Sequence, residues 1–251
     1  MQWWEALLLV TGGVAAGAVN AVAGGGSMLT VPLLVLAGVP GNAANGSNRV
    51  GILTSNFAAA AQFRRLGVDG LAHAAGVVVP ALIGSLIGSL GISRLTDDTF
   101  ETVFGLLMIP LILLTINKPS VKSDSEPWGR ATTIAVFLVV GIYGGAVQAG
   151  VGLVMLAALS RAGFDLVTAN SIKVLVNLAV TCVALPVFII AGDVRWAPAL
   201  LLAIGLTAGG WLGARLGVTK GEEWIRRVMV VAALALAARL LGVYDWIGGL
   251  F

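Results

Sequence analysis

The sequence predicts an all-α fold: a polytopic membrane helical bundle of two inverted repeats, each with five segments and a glycine-broken first and second helix. Three observations carry that prediction: long uncharged runs, a co-linear echo between the halves, and an uneven placing of basic residues. Of 251 residues, 58% are hydrophobic and only 11% are charged, whereas a soluble domain carries roughly 25% charged residues. The mean hydropathy is +0.98. Residues 6–48, 131–160, 174–192 and 196–214 contain no Asp, Glu, Lys or Arg, and about 20 apolar residues suffice to cross hydrocarbon. A soluble fold has no place for so many such runs.

The first segment, 3–23, follows Met1-Gln2 without the positive start of a removable signal, so it reads as a membrane helix. Gly24-Gly25-Gly26 then breaks the chain, and the next segment, 28–38, is short for a crossing. Hydrocarbon cannot satisfy the backbone groups that a break frees, so the break must face protein or a polar cavity. Segments 43–63, 71–91 and 98–117 complete the first half. The second half offers 131–149, 152–163, 167–191, 196–217 and 222–242, with its own break at Gly150-Val151-Gly152. The expected organisation is a first membrane repeat over 1–120, a cytoplasmic linker over 121–130 and a second repeat over 131–251. The longest polar stretch, 118–130, is a loop and leaves no room for a soluble domain.

The halves echo each other at an offset of 124 to 128 residues. Gly13 and Gly17 match Gly141 and Gly145, Gly26 matches Gly152, and Arg49 matches Lys173. Gly84 and Gly88 match Gly209 and Gly213, and Asp97-Asp98 match Glu222-Glu223. A co-linear series that includes rare charged residues indicates duplication. The Gly-xxx-Gly spacings within it specify close helix packing and nothing about substrate.

Charge decides the orientation. With the 63–71 loop in the cytoplasm and every later segment crossing, Arg64, Arg65, Lys118, Lys122, Arg130, Arg161, Arg215, Lys220, Arg226 and Arg227 lie inside. Only Arg94, Arg195 and Arg239 lie outside, while Arg49 and Lys173 fall within segments. Parallel repeats would carry the 215–227 cluster outside, so the positive-inside rule selects inverted repeats with both termini outside the cytoplasm. The same rule accounts for the pI near 9.4, and no basic run exceeds two residues, so nucleic acid is not an expected partner. Cys182 excludes an intramolecular disulfide and reads as a small core residue.

Inverted repeats with interrupted helices are the pattern of secondary transporters, with the site near the midplane. The half-helix after the first break would present the N–H groups of Gly25, Gly26 and Ser27, and its counterpart those of Gly152, forming an anion site between two positive dipole ends. Arg49 and Lys173 sit about six residues into their segments, roughly 9 Å deep at helical rise. Each either offsets substrate charge or snorkels to the nearer interface. Asn45, Asn48, Asn170, Ser171 and Asn177 suit oxyanion oxygens, and each could equally serve a neighbouring helix. No carboxylate lies mid-segment between Glu5 and Asp69 or in the second half, so a carboxylate proton relay is not expected. His73, at a helix start, reads as structural. Catalytic triads, metal-ligand spacings and nucleotide-binding lysines are absent from the sequence, so neither an enzyme nor a bound cofactor is expected.

The run Gly24-Gly-Gly-Ser-Met-Leu-Thr-Val-Pro-Leu-Leu, with Gly38-Val-Pro, Ala44-Asn-Gly-Ser-Asn-Arg-Val and Phe63-Arg-Arg-Leu-Gly-Val-Asp, resembles the TauE/SafE family of sulfite and organosulfonate exporters. The resemblance spans nearly the whole chain, and Ala-Asn-Gly-Ser-Asn-Arg is its most specific part. It implies a multi-pass protein of the cell (inner) membrane that carries sulfite, thiosulfate or an organosulfonate. Its partners would be that small anion, the lipid bilayer and a coupling ion, H+ or Na+. The second half departs from the pattern, with Ala149-Gly150-Val151-Gly152 in place of the triple glycine. A passive anion channel and a non-transporting membrane scaffold are the rival readings. Gradient coupling separates the first from a transporter, and a ligand-induced melting shift separates the second.

Overall fold

The computed structural model describes residues 2–68, 70–116 and 128–220. These form nine helices and no strand: α1 Trp3–Ala23, α2 Ser27–Leu36, α3 Gly41–Arg65, α4 Leu71–Ile92, α5 Asp97–Ile116, α6 Arg130–Ala146, α7 Val151–Arg161, α8 Leu166–Ala191 and α9 Trp196–Lys220. The expected segment 222–242 and most of the expected linker lie outside the described residues. Four helices, α1, α4, α8 and α9, are long and apolar enough to cross a membrane. Phe57, Val79, Ile83, Val139, Ile190 and Ile204 are exposed on the outside of the bundle, a face suited to lipid rather than water. Cys182 is exposed as well, not in the core as expected, because its position on α8 turns away from the packed face.

Local chemistry sets the helix ends. Glu5 turns back to accept the Gln2 amide at 2.6 Å, closing the first turn of α1. Gly24 ends α1 in the left-handed region at φ 79°, its N–H returning to Val19 and Asn20. Asp165 caps α8 by accepting the Val167 and Thr168 amides.

α3 is the exception to apolar helices. It carries Asn42, Asn45, Ser47, Asn48, Arg49, Ser55 and Asn56, yet every residue from 41 to 52 is buried. It therefore runs through the middle of the protein, where its polar side chains have polar partners.

Glycine contacts fix the helix directions. Going up α1, Gly13 meets Leu202 and Gly205, Gly17 meets Leu206 and Gly210, and Ala18 meets Gly213, so α1 and α9 run parallel. α3 joins them in the same direction, with Gly51 against Ala203 and Leu206 and Ser55 against Gly210. In the same way Ala81 and Ser85 of α4 meet Gly141 and Gly145 of α6, again parallel. α3 and α8 oppose each other: Gly46 and Arg49 lie by Phe188, while Phe63 packs with Val174. α4 follows α8, because Gly70 meets Ser171 and Ser85 bonds the Val180 carbonyl. Thus α1, α3 and α9 point one way and α4, α6 and α8 the other.

The short helices fold back. Gly26 sits on Ala16 and Asn20, and Leu33 on Gly12, so α2 doubles back along α1. The two large cores each borrow from the opposite half. One gathers α1, α2 and α3 with α9; the other gathers α6, α7 and α8 with α4.

Candidate functional site

The two chain breaks meet. A Cβ on Gly24 would overlap the Gly152 backbone, and one on Gly152 would overlap Gly24. Only glycine allows this approach, so the turn after α1 and the first turn of α7 cross backbone to backbone. The second break lies earlier than expected. α6 stops at Ala146, Val147 to Gly150 form the turn, and Gly152 already belongs to α7. The physical reason is Gln148, the one non-glycine described residue with positive φ, at 63°. Side-chain bonds hold it there: it accepts from Arg49 Nη1 at 2.8 Å and donates to Asn177 Oδ1 at 2.8 Å and Thr181 Oγ1 at 3.1 Å. The Tyr143 hydroxyl donates to the Ala149 carbonyl and closes the same turn.

Arg49 and Lys173 do not snorkel; both are buried. Each seats on the open end of the other half's broken helix. Arg49, from α3, donates to the Gly144 carbonyl at 3.1 Å, Gly145 at 2.5 Å and Ala146 at 3.1 Å. Lys173, from α8, donates to the Asn20 carbonyl at 2.9 Å and Ala21 at 3.1 Å, with Asn170 Oδ1 at 2.8 Å as its third partner. These carbonyls lie in the last turns of α6 and α1, the negative ends of those helices, and that of Asn20 also takes the Gly24 amide. A cation at a partly buried helix C-terminus is worth up to about 2 kcal/mol. Phe188 lies under the Arg49 guanidinium at 4.4 Å and adds a cation–π contact.

The remaining expected residues divide into groups. Asn45 lies beside Arg49, its Nδ2 donating to the same Ala146 carbonyl at 2.7 Å. Asn48 accepts from the Thr30 hydroxyl of α2 at 2.6 Å. Asn177 joins them through Gln148, and Asn170 belongs with Lys173. Gly25, Gly26 and Ser27 are buried at the start of α2, where Gly26 serves the close packing on α1. Ser171 stands apart, binding the loop before α4 through the Gly70 amide and the Val68 carbonyl. Its counterpart Ser47 does the same for the loop before α9, accepting the Arg195 amide at 2.8 Å.

Among the described residues, four buried side-chain polar atoms are without a partner, and all belong to one stretch of α3: Asn42 Oδ1, Asn45 Oδ1, Asn48 Nδ2 and Arg49 Nε. Native interiors pair nearly all such atoms, and an orphan costs about 1–3 kcal/mol. At the start of α3, Asp97 accepts the Asn42 amide at 2.8 Å and Asp193 accepts Asn42 Nδ2 at 3.1 Å. Sequence reasoning missed Gln148, Thr181, Tyr143, Phe188 and this Asn42 cluster. Gln148 had a signal, since it is the only amide side chain in the uncharged run 131–160. Among the described residues, no group of three His, Cys, Asp or Glu side chains could hold a metal ion.

Residues 9–240 match the sulfite exporter TauE/SafE family, so the chain belongs to that family. It is 29% identical over 231 residues to the probable membrane transporter protein ORF9 of a Sinorhizobium species, covering 90% of this chain and 88% of that one. It is 26% identical to a probable membrane transporter protein of Haemophilus influenzae, over 93% of this chain and 92% of the other. The probable membrane transporter protein YfcA of Escherichia coli K12 is 27% identical, over 92% and 86% respectively. No solved structure matches the chain significantly.

Proposed function

We propose that this member of the TauE/SafE family is a secondary transporter. It moves a small sulfur-containing anion (sulfite, thiosulfate or an organosulfonate) across the inner cell membrane by alternating access between two inverted repeats. The observation that carries the reading is the crossed seating of Arg49 on α6 and Lys173 on α1, beside the contact of Gly24 with Gly152. Two oppositely directed sets of helices are tied at their breaks, where the starts of α2 and α7 bring positive ends together. Arg49 and Lys173 add formal positive charge to a desolvated interior, which disfavours cations and favours a small anion. The relatives' names as membrane transporters support the same reading. Both termini face outside the cytoplasm on this account, and an H+ or Na+ gradient supplies the driving force.

The test is flux in proteoliposomes. Purified protein is expected to move sulfite, thiosulfate or an alkanesulfonate saturably and in response to an imposed H+ or Na+ gradient. Arg49→Gln abolishes flux and also lowers the melting temperature, because the Gly144 and Gly145 carbonyls lose their donor while Ala146 keeps only Asn45. A wild-type protein that passes none of these anions overturns the proposal.

A further inference from the structure

The cations of the two halves are equivalent in sequence but not in what they leave open. Lys173 spends its donors on Asn20, Ala21 and Asn170, and the surrounding polar groups are paired: Ser171 with the α3–α4 loop, Asn177 with Gln148. On α3 the corresponding stretch leaves two donors open, Asn48 Nδ2 and Arg49 Nε, and one acceptor, Asn45 Oδ1. Asn48 and Arg49 lie three and four residues after Asn45, so each stands within one helical turn of it. Asn45 and Arg49 already converge on the Ala146 carbonyl. All three residues are fully buried, and a buried orphan of this kind calls for a polar partner.

We propose that the transported anion binds at a single site on α3, held by Asn48 Nδ2–H and Arg49 Nε–H, with Asn45 Oδ1 accepting a proton that the anion itself carries. The inference rests on the transporter reading and narrows it. Lys173 is then a positioning residue that holds α1, and no second anion site stands beside it. The ligand class is a singly charged oxyanion bearing an ionisable hydrogen, of which hydrogen sulfite is the simplest sulfur example. Charge agrees with this choice. The α6 terminus already offsets about half of the Arg49 charge, which suits a monoanion better than a dianion. Because the substrate brings its own proton, proton-linked movement needs no carboxylate in the core. The titratable and charged groups packed around this stretch, among the described residues, are Tyr143 on α6, and Asp97, Glu101, Asp193 and Arg195 at the start of α3. Tyr143 is committed to the Ala149 carbonyl.

Detergent-solubilised full-length protein is titrated with sulfite and with methanesulfonate, reading the melting temperature and the dissociation constant. Sulfite affinity is expected to rise as pH falls through sulfite's own neutral-range titration. Methanesulfonate, which carries no ionisable hydrogen there, shows a flat profile. Asp193→Asn, Asp97→Asn and Glu101→Gln each keep both profiles, which excludes these carboxylates as their origin. Asn48→Leu and the isosteric Asn48→Asp lower sulfite affinity at least tenfold. Asn48→Leu also takes the acceptor from the Thr30 hydroxyl and so melts below wild type without anion, whereas Asn48→Asp keeps that acceptor and separates lost binding from lost folding. Wild-type sulfite affinity in both Asn48 variants overturns the site, and a sulfite profile flat with pH overturns the proton-bearing ligand. If wild type binds neither sulfite nor any other oxyanion, the transporter reading fails instead.

Discussion

At Asp193 burial pushes the carboxyl above its ordinary range, the neighbouring Asp97 adds to the rise, and Arg195 opposes it. A carboxyl whose folded value is raised binds its proton more tightly folded than unfolded. Its stabilising contribution is therefore present below the unfolded value and lost as pH climbs through the folded one. Asp193→Asn should melt above wild type at neutral pH, with the gap closing on acidification; a gap that ignores pH would contradict this. Asp165 works in the opposite sense. The Thr168 hydrogen bonds hold it below its usual range, so its contribution is lost as pH falls, equally in both proteins. The sequence marked Arg49 and Lys173 correctly as deep cations. It could not reveal what they touch, because their partners are mostly backbone carbonyls, which leave no trace in residue identity. The same blindness hid the Asn42 link between Asp97 and Asp193, whose carboxylates lie far apart along the chain.

Glycines separate into two kinds once the helices are in place. Gly24 and Gly152 have the opposite backbone where a methyl would go, whereas Gly76 in α4 faces open space. Gly152→Ala should destabilise by about 1–3 kcal/mol or more through overpacking, and Gly24→Ala by at least as much, since its φ of 79° also strains a side chain. Gly76→Ala should be neutral or stabilising by about 0.5–1 kcal/mol. Thermal melts in one detergent compare the three, and equal losses would remove the crossing as the cause. Among the described residues, helix order and boundaries were readable within two or three residues from the uncharged runs and the glycine punctuation. The exception was the second break, where an amide side chain takes a conformation usually left to glycine. α3 was readable as an element but not as a central one. Its polarity argues for the surface until the partners that let it be buried are seen.

Taken whole, the protein is not two bundles laid side by side. α9 completes the core of the first half and α4 that of the second, so sequence halves and packed units do not coincide. The co-linear echo between the halves was legible; the exchange of helices was not, since packing partners across the halves are chosen by shape. The proposed orientation has a direct check on a Cys182→Ser background. Arg94→Cys, in an exposed position after α4, should react with a membrane-impermeant maleimide added to intact cells. Arg65→Cys, at the exposed end of α3, should react only after permeabilisation. The reverse pattern would invert the assignment. The crossed seating of the two cations also bears on how the molecule is made. Two carbonyls near the end of α1, those of Asn20 and Ala21, receive a lysine 153 residues downstream of Asn20. During synthesis the first hairpin must therefore stand in the bilayer with that end unfinished, and it reaches its final form only after α8 has left the ribosome.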